Sequence, residues 1–149
     1  MMTWAEIYGL LISLATIVIC TTLHASMLQK IGDSCPESPN IFGIKRLMLL
    51  VIGLHMVEIL IFAGAYWLSW EILGIGEIRG AFAGTAVDYV YFSLVCYTTI
   101  GFGDITPEGA LRILAGLEGI TGLVLITWSA TFTFTFVIAR REWHDFSKM

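Results

Sequence analysis

Apolar residues along this chain gather into three long runs, Trp4 to Leu28, Leu47 to Trp70 and Ile113 to Ile138, rather than into a periodic pattern of core-facing positions. Each run exceeds the roughly 20 residues a helix needs to cross a hydrocarbon core about 30 Å thick. The pattern predicts three transmembrane helices. A fourth apolar stretch, "AVDYVYFSLVCY" from Ala86, is too short to span and has the length of a re-entrant segment. Thr85 and Asp88 have the T-x-x-D spacing of a helix start. A short helix is therefore expected to dip inward over 86–98. The chain then returns through "TIGFGD", 99–104, which is not helical. "TWSATFTFTFVIARR" near the end alternates like a strand, but an isolated strand cannot cross lipid with unpaired edges. At helical spacing Thr127, Thr131 and Thr135 share one face.

Non-helical backbone at membrane depth survives only inside protein or along a water-filled path. Gly101 and Gly103 adopt positive φ without steric cost. Alternating them with Ile100 and Phe102 turns successive carbonyls the same way. A row of carbonyls on one axis can replace the water shell of a cation, with the Thr99 hydroxyl at its inner end.

Composition fits the membrane reading: 57% of the 149 residues are hydrophobic and 13% charged, where a soluble domain carries about 25% charged residues. "MMTWAE" has no basic residue, so it reads as a helix start capped by Thr3 and Glu6 rather than as a signal peptide. Cys20, Cys35 and Cys96 have no paired spacing and read as free thiols. Of eight basic residues, Lys30, Lys45 and Arg46 lie between the first two runs and Arg140, Arg141 and Lys148 after the third. The positive-inside rule makes the 29–46 loop and the 140–149 tail cytoplasmic and puts the N-terminus outside. The segments are then a first helix within 1–28, an outer helix at 47–70, an outside loop at 71–85, the short helix, the 99–104 loop and an inner helix at 110–139. Glu6, Glu71, Glu77, Asp104 and Glu108 against Arg79 and Arg112 give a negative outer face that concentrates cations.

"DYVYFSLVCYTTIGFGDITP" resembles the potassium-channel pore module. "TTIGFGD" is similar to the family's T-V-G-Y-G-D filter, with Ile100 for valine and Phe102 for tyrosine, as in two-pore-domain potassium channels. The resemblance covers about 44–140 and leaves the first helix outside. It implies an all-α membrane protein of three transmembrane helices with a re-entrant pore helix and filter loop. One filter per chain implies a homotetramer around a central pore in the plasma membrane. K+ would lie among the carbonyls of Thr99, Ile100, Gly101 and Phe102, with Gly103 completing the filter. Tyr91, Phe92, Thr98 and Asp104 would support it, and Thr127, Thr131 and Thr135 would line a cavity below. The resemblance implies no enzyme activity, no cofactor besides K+, and no nucleic-acid or small-molecule partner, only membrane lipid. Phe102 lacks the hydroxyl that ties the filter in many relatives, Tyr91 and Phe92 replace a tryptophan pair, and Val95 replaces a glutamate. The filter is therefore expected to collapse readily in low potassium.

His55 and Glu58 on the second helix and Glu118 on the third are ionisable groups inside spans, with His24 near the inner end of the first; such groups are functional candidates. They are expected to form one buried network at the level of the filter that tunes gating by pH. Gly116, Gly119 and Gly122 permit close packing, and Gly122 lies where relatives have a gating hinge. The alternatives to a potassium-selective channel are a weakly selective monovalent cation channel, a non-conducting modulatory subunit, and a membrane metalloenzyme built on His24, His55, Glu58 and Glu118.

Overall fold

A computed structural model describes residues 2–34 and 41–146, with side chains as far as Ile138. Cys35, part of the basic loop read at 29–46, and the side chains of Arg140, Arg141 and Lys148 lie outside the described residues. Helix α1, Trp4–Ser34, starts where "TWAE" places it. Thr3 N donates to Glu6 Oε2 at 2.7 Å and Glu6 N to Thr3 Oγ1 at 3.3 Å, the reciprocal capping box. Helix α2 is Ile41–Trp67 and the last helix, α4 below, is Leu111–Phe146. All three outrun the apolar runs that announced them, so the loop read at 29–46 is largely helical on both flanks. Hydrophobicity marks where a helix meets lipid, whereas its hydrogen-bond ladder continues through Gln29 and Lys30 at one end and Lys45 and Arg46 at the other. Three helical stretches, Trp4–Ser34, Ile41–Ile72 and Leu111–Ile138, are long and apolar enough to cross a membrane.

Helix α2 closes in a π-helical turn, Leu68–Ile72, whose exit is the left-handed Gly74 at φ +59°. Strand β1, Gly76–Gly80, follows, and pairs antiparallel with β2, Ile105–Gly109, with Ile78 opposite Pro107. The loop expected over 71–85 thus contains a strand, and the all-α class becomes a mostly helical fold with one two-stranded ribbon. Five residues with a glycine at each end, facing a strand that contains a proline, carry little of the β-branched alternation by which strands are recognised. Tertiary contact makes the ribbon instead: Ile78 and Ile105 are buried in the core. At Gly80, φ +108°, a Cβ would collide with the Asp104 carbonyl, so only glycine lets the two strands meet there.

Helix α3, Ala86–Tyr97, is the short helix the sequence predicts, and its first turn is capped by Thr85 and Asp88 in both directions. Asp88 Oδ2 accepts from the backbone N–H of Thr85 at 3.0 Å and of Ala83 at 3.1 Å. These bonds, those from Thr85 foremost, hold the Asp88 carboxyl below its ordinary value of 3.8. A depressed value means the cap stabilises the fold above pH 3.8 and loses that effect as pH falls through the folded value. Asp88→Asn is expected to melt lower than the parent near neutrality, with the difference closing in acid. Thermal melts across that range check it.

Helix α3 packs between α2 and α4, while α1 lies against α4 and α2. The buried stripe of α1 is Gly9, Ser13, Thr16, Cys20, His24, Leu28 and Ile31. Small and polar residues face inward and bulky apolar ones such as Trp4, Leu11 and Val18 face out, the reverse of a soluble helix. The inward side chains allow close approach: a Cβ on Gly9 would lie 2.8 Å from the Ala110 Cβ. Phe62, Tyr66, Tyr89, Phe92, Tyr97 and Leu125 fill the core around α3.

Candidate functional site

The ribbon ties together the two ends of an excursion made by α3 and the loop after it, with Ala81 N donating to the Asp104 carbonyl at 3.1 Å. At the far end α3 stops at Thr98, whose hydroxyl donates to the Leu94 carbonyl at 2.6 Å. The Ile100 N–H still reaches the Val95 carbonyl at 3.1 Å. Beyond it the backbone alternates. Thr99, Gly101 and Gly103 have φ of 57°, 58° and 79°, and Thr99 is the sole non-glycine residue with positive φ among the described residues. Strain of this kind, of order 1–3 kcal/mol, persists where surrounding structure enforces it and clusters at functional sites. Ile100 and Phe102 stand 55% and 68% exposed in the single chain.

Tyr91 donates its hydroxyl to Asp104 Oδ2 at 2.8 Å, linking α3 to the end of the loop. The partner carboxylate raises the phenol above its ordinary value of 10, so Tyr91 stays a donor through the neutral range. Phe92 turns the other way and meets Tyr66 edge-on at 4.8 Å. Tyr91 is thus the aromatic anchor behind the loop. If the loop conducts potassium, as proposed below, Tyr91→Phe is expected to hasten several-fold the decline of current after potassium is withdrawn, measured as the decay rate in a planar bilayer.

The intramembrane acids form two clusters instead of the single network the sequence suggested. Glu118 Oε2 accepts from the Tyr66 hydroxyl at 2.5 Å and Oε1 lies 2.5 Å from Ser93 Oγ. Glu58 sits between His24 and His55, and its Oε2 accepts from the Tyr97 hydroxyl at 2.5 Å. Ser93 and Tyr97 are four apart on α3, so they share one face of the helix and each anchors one acid. The metalloenzyme set is divided accordingly: His24, His55 and Glu58 come together, while Glu118 belongs to the other cluster. His24 reaches into the core from α1 and is fully buried. Tyr66, Ser93, Tyr97 and Ser129 are partners that sequence reasoning missed; only the four-residue spacing on α3 could have flagged two of them.

Thr127 and Thr131 donate their hydroxyls to the carbonyls of Leu123 and Thr127, at 2.7 and 3.0 Å. Both residues, and Thr135, are exposed in the single chain. The hydroxyl donors of Thr127 and Thr131 are used within the helix, which leaves their oxygens to accept. Gly122 is buried where α4 crosses the end of α3, and a Cβ there would collide with the Tyr97 carbonyl. Close approach accounts for this glycine without bending, and α4 runs unbroken through it. On the ribbon, Arg79 bridges Glu77 at 3.4 Å and Glu108 at 3.2 Å, all well exposed; such pairs contribute about 0–1 kcal/mol. Glu71 accepts from the Tyr89 hydroxyl at 2.8 Å.

A family described as ion channel matches residues 54–139, from mid-α2 through α3 and the loop into α4. The chain belongs to this ion channel family. The ion channel chain is also similar to two-pore potassium channel 4 of Arabidopsis thaliana, at 26% identity over 116 residues. The alignment covers 74% of the chain and 39% of that protein, so the chain spans well under half of that relative's length. No solved structure matches the chain. The matched family and the three apolar helices make this a membrane protein, with α1 outside the matched span.

Proposed function

We propose that four copies of this chain close around one axis and conduct K+ passively and selectively. The carbonyls of Thr99, Ile100, Gly101 and Phe102 and the Thr99 hydroxyl coordinate the dehydrated ion. The observation that carries this reading is the alternation of left-handed backbone at Thr99, Gly101 and Gly103 in a loop bounded by a capped short helix and a ribbon. Alternating the hand of successive residues turns their carbonyls toward one side, which a K+ site requires. The exposed Ile100 and Phe102 side chains fit the same assembly, because neighbouring subunits would cover them. The excursion begins and ends at one ribbon, as a re-entrant segment must. The similarity to a protein named a two-pore potassium channel supports the choice of ion.

Conduction then needs no energy source. K+ enters past Asp104, exchanges its water for carbonyls in the loop, and is rehydrated in a cavity where Thr127, Thr131 and Thr135 offer acceptor oxygens. The basic residues at both inner helix ends support an N-terminus outside and a C-terminus in the cytoplasm of a plasma-membrane protein. Gating through Glu118, His55 and Glu58 belongs to the same proposal. Identical open probability of Glu118→Gln and the parent from acid to neutral pH would remove the pH element.

Two measurements test the proposal. Native mass spectrometry of detergent-solubilised protein is expected to give four chains per particle. Potassium-loaded liposomes containing the protein are expected to discharge K+ and to retain Na+ when loaded with sodium instead. Equal release of both ions would favour a weakly selective cation channel, and release of neither by an assembled tetramer would favour a modulatory subunit.

A further inference from the structure

The cluster around Glu58 has the composition of a metal centre. His24 of α1 and His55 and Glu58 of α2 bring two imidazole nitrogens and a carboxylate together, with their donor atoms all within 4.8 Å of one another. His24 Nδ1 lies 2.8 Å from Glu58 Oε1, and His55 Nδ1 lies 3.1 Å from Oε2. The Tyr97 oxygen, 2.9 Å from His55 Nδ1, adds a fourth donor from α3. His24 and Glu58 are fully buried, whereas the His55 side chain keeps 16% exposure and marks the side of entry.

Two features suit this set to a metal. Both imidazoles converge through Nδ1 on the two oxygens of one carboxylate. The remote nitrogen of His24, Nε2, lies 3.2 Å from Ser129 Oγ on α4. Metal-bound imidazoles are held by this kind of outer contact, which fixes the tautomer and the ring. In the tautomer whose Nε2–H donates to Ser129, Nδ1 keeps the lone pair that a metal ion takes. A tetrahedral zinc ion, with bonds near 2.0–2.2 Å, spaces its donors about 3.3 Å apart. The hydrogen-bonded neighbours here stand closer than that and the whole set spans up to 4.8 Å, so seating the ion spreads the short contacts and closes the widest one.

We propose that His24, His55 and Glu58, with Tyr97 as the fourth donor, bind a divalent transition metal of the Zn2+ type. Two imidazoles, a carboxylate and a phenol oxygen favour such an ion over K+ or Mg2+, which take oxygen shells. The ion ties α1 and α2 to the C-terminal end of α3. Tyr97 stands two residues before Thr99, so occupancy acts on the loop; that consequence rests on the channel reading, while binding itself does not.

The test uses the full chain in detergent, stripped with a chelator and titrated with Co2+, whose visible d–d bands report tetrahedral coordination. The expected result is a saturable spectrum at one Co2+ per chain, displaced by Zn2+, and a higher melting temperature with Zn2+ than with chelator. His55→Gln is expected to lose the spectrum. Ser129→Ala keeps the ligands and is expected to weaken binding by roughly 10- to 100-fold; it serves as the test variant should His55→Gln not fold. His144→Gln, which removes the remaining histidine of the sequence, is expected to change nothing. Absence of a saturable spectrum in the parent overturns the proposal. So does a spectrum that survives His55→Gln and Ser129→Ala at full affinity, or one that His144→Gln abolishes. None of these readouts involves current, so failure of the metal site and failure of the channel reading are told apart.

Discussion

A Gly101→Ala chain is expected to fold as the parent does and to carry no potassium-selective current. Gly101 has φ +58° in the middle of the alternating loop. An alanine there costs roughly 1–2 kcal/mol of left-handed strain, and the proposed four-fold assembly would incur it at every subunit around one axis. Within its own chain the added methyl meets nothing within 4 Å. The penalty therefore falls on the loop's conformation and on what lies across the axis, and leaves the packing of α2, α3 and α4 alone. The expected pattern is an unchanged melting temperature with loss of the shifted reversal potential. Preserved selectivity would show that the carbonyl alternation does not coordinate the ion. Thr99 already holds the left-handed region as a non-glycine residue, so the loop carries strain before any substitution is made.

Gly122→Ala is expected to fail in the opposite way, through the fold. Its Cβ would meet the Tyr97 carbonyl carbon and oxygen, which are backbone and have no rotamer with which to retreat. Relief requires α4 to move off the end of α3, and overpacking of this kind costs about 1–3 kcal/mol. The displaced residue is the one whose hydroxyl binds Glu58 and whose second neighbour is Thr99, so altered conduction is expected to accompany the lower melting temperature. Gly116, on the same helix, meets nothing within 4 Å, and Gly116→Ala is expected to melt as high as the parent. If Gly122 served only as a hinge, its alanine variant would melt normally and differ in gating alone.

The sequence carries some of these features plainly and others not at all. The helix over 86–97 was legible because its start is local chemistry: Thr85 and Asp88 satisfy each other's backbone whatever the rest of the chain does. The left-handed loop was legible for the same reason, since Gly101 and Gly103 state their freedom by lacking a Cβ. The three spans followed from the length of their apolar runs, but their ends did not, because helix ends depend on hydrogen bonds that polar residues make equally well. The ribbon was hidden because Gly76–Gly80 has almost no strand propensity and owes its conformation to a partner 25 or more residues away in the register Gly80 to Ile105 and beyond. The Glu58 cluster was half legible. His55 and Glu58, three apart on one helix, pointed at each other in the sequence, whereas His24 and Ser129 join them only once α1 and α4 pack. Glu58 and Glu118 were expected to share a network because their depths agree. Depth is one coordinate of three, and α3 gives each acid its own partner, Tyr97 for one and Ser93 for the other.

Selection of K+ by the loop over 99–103, as proposed, is tested most directly by the reversal potential under bi-ionic conditions. Purified protein in a planar bilayer, with potassium on one side and sodium on the other, is expected to reverse near the potassium limit. Current through the protein that reverses near zero would contradict the claim.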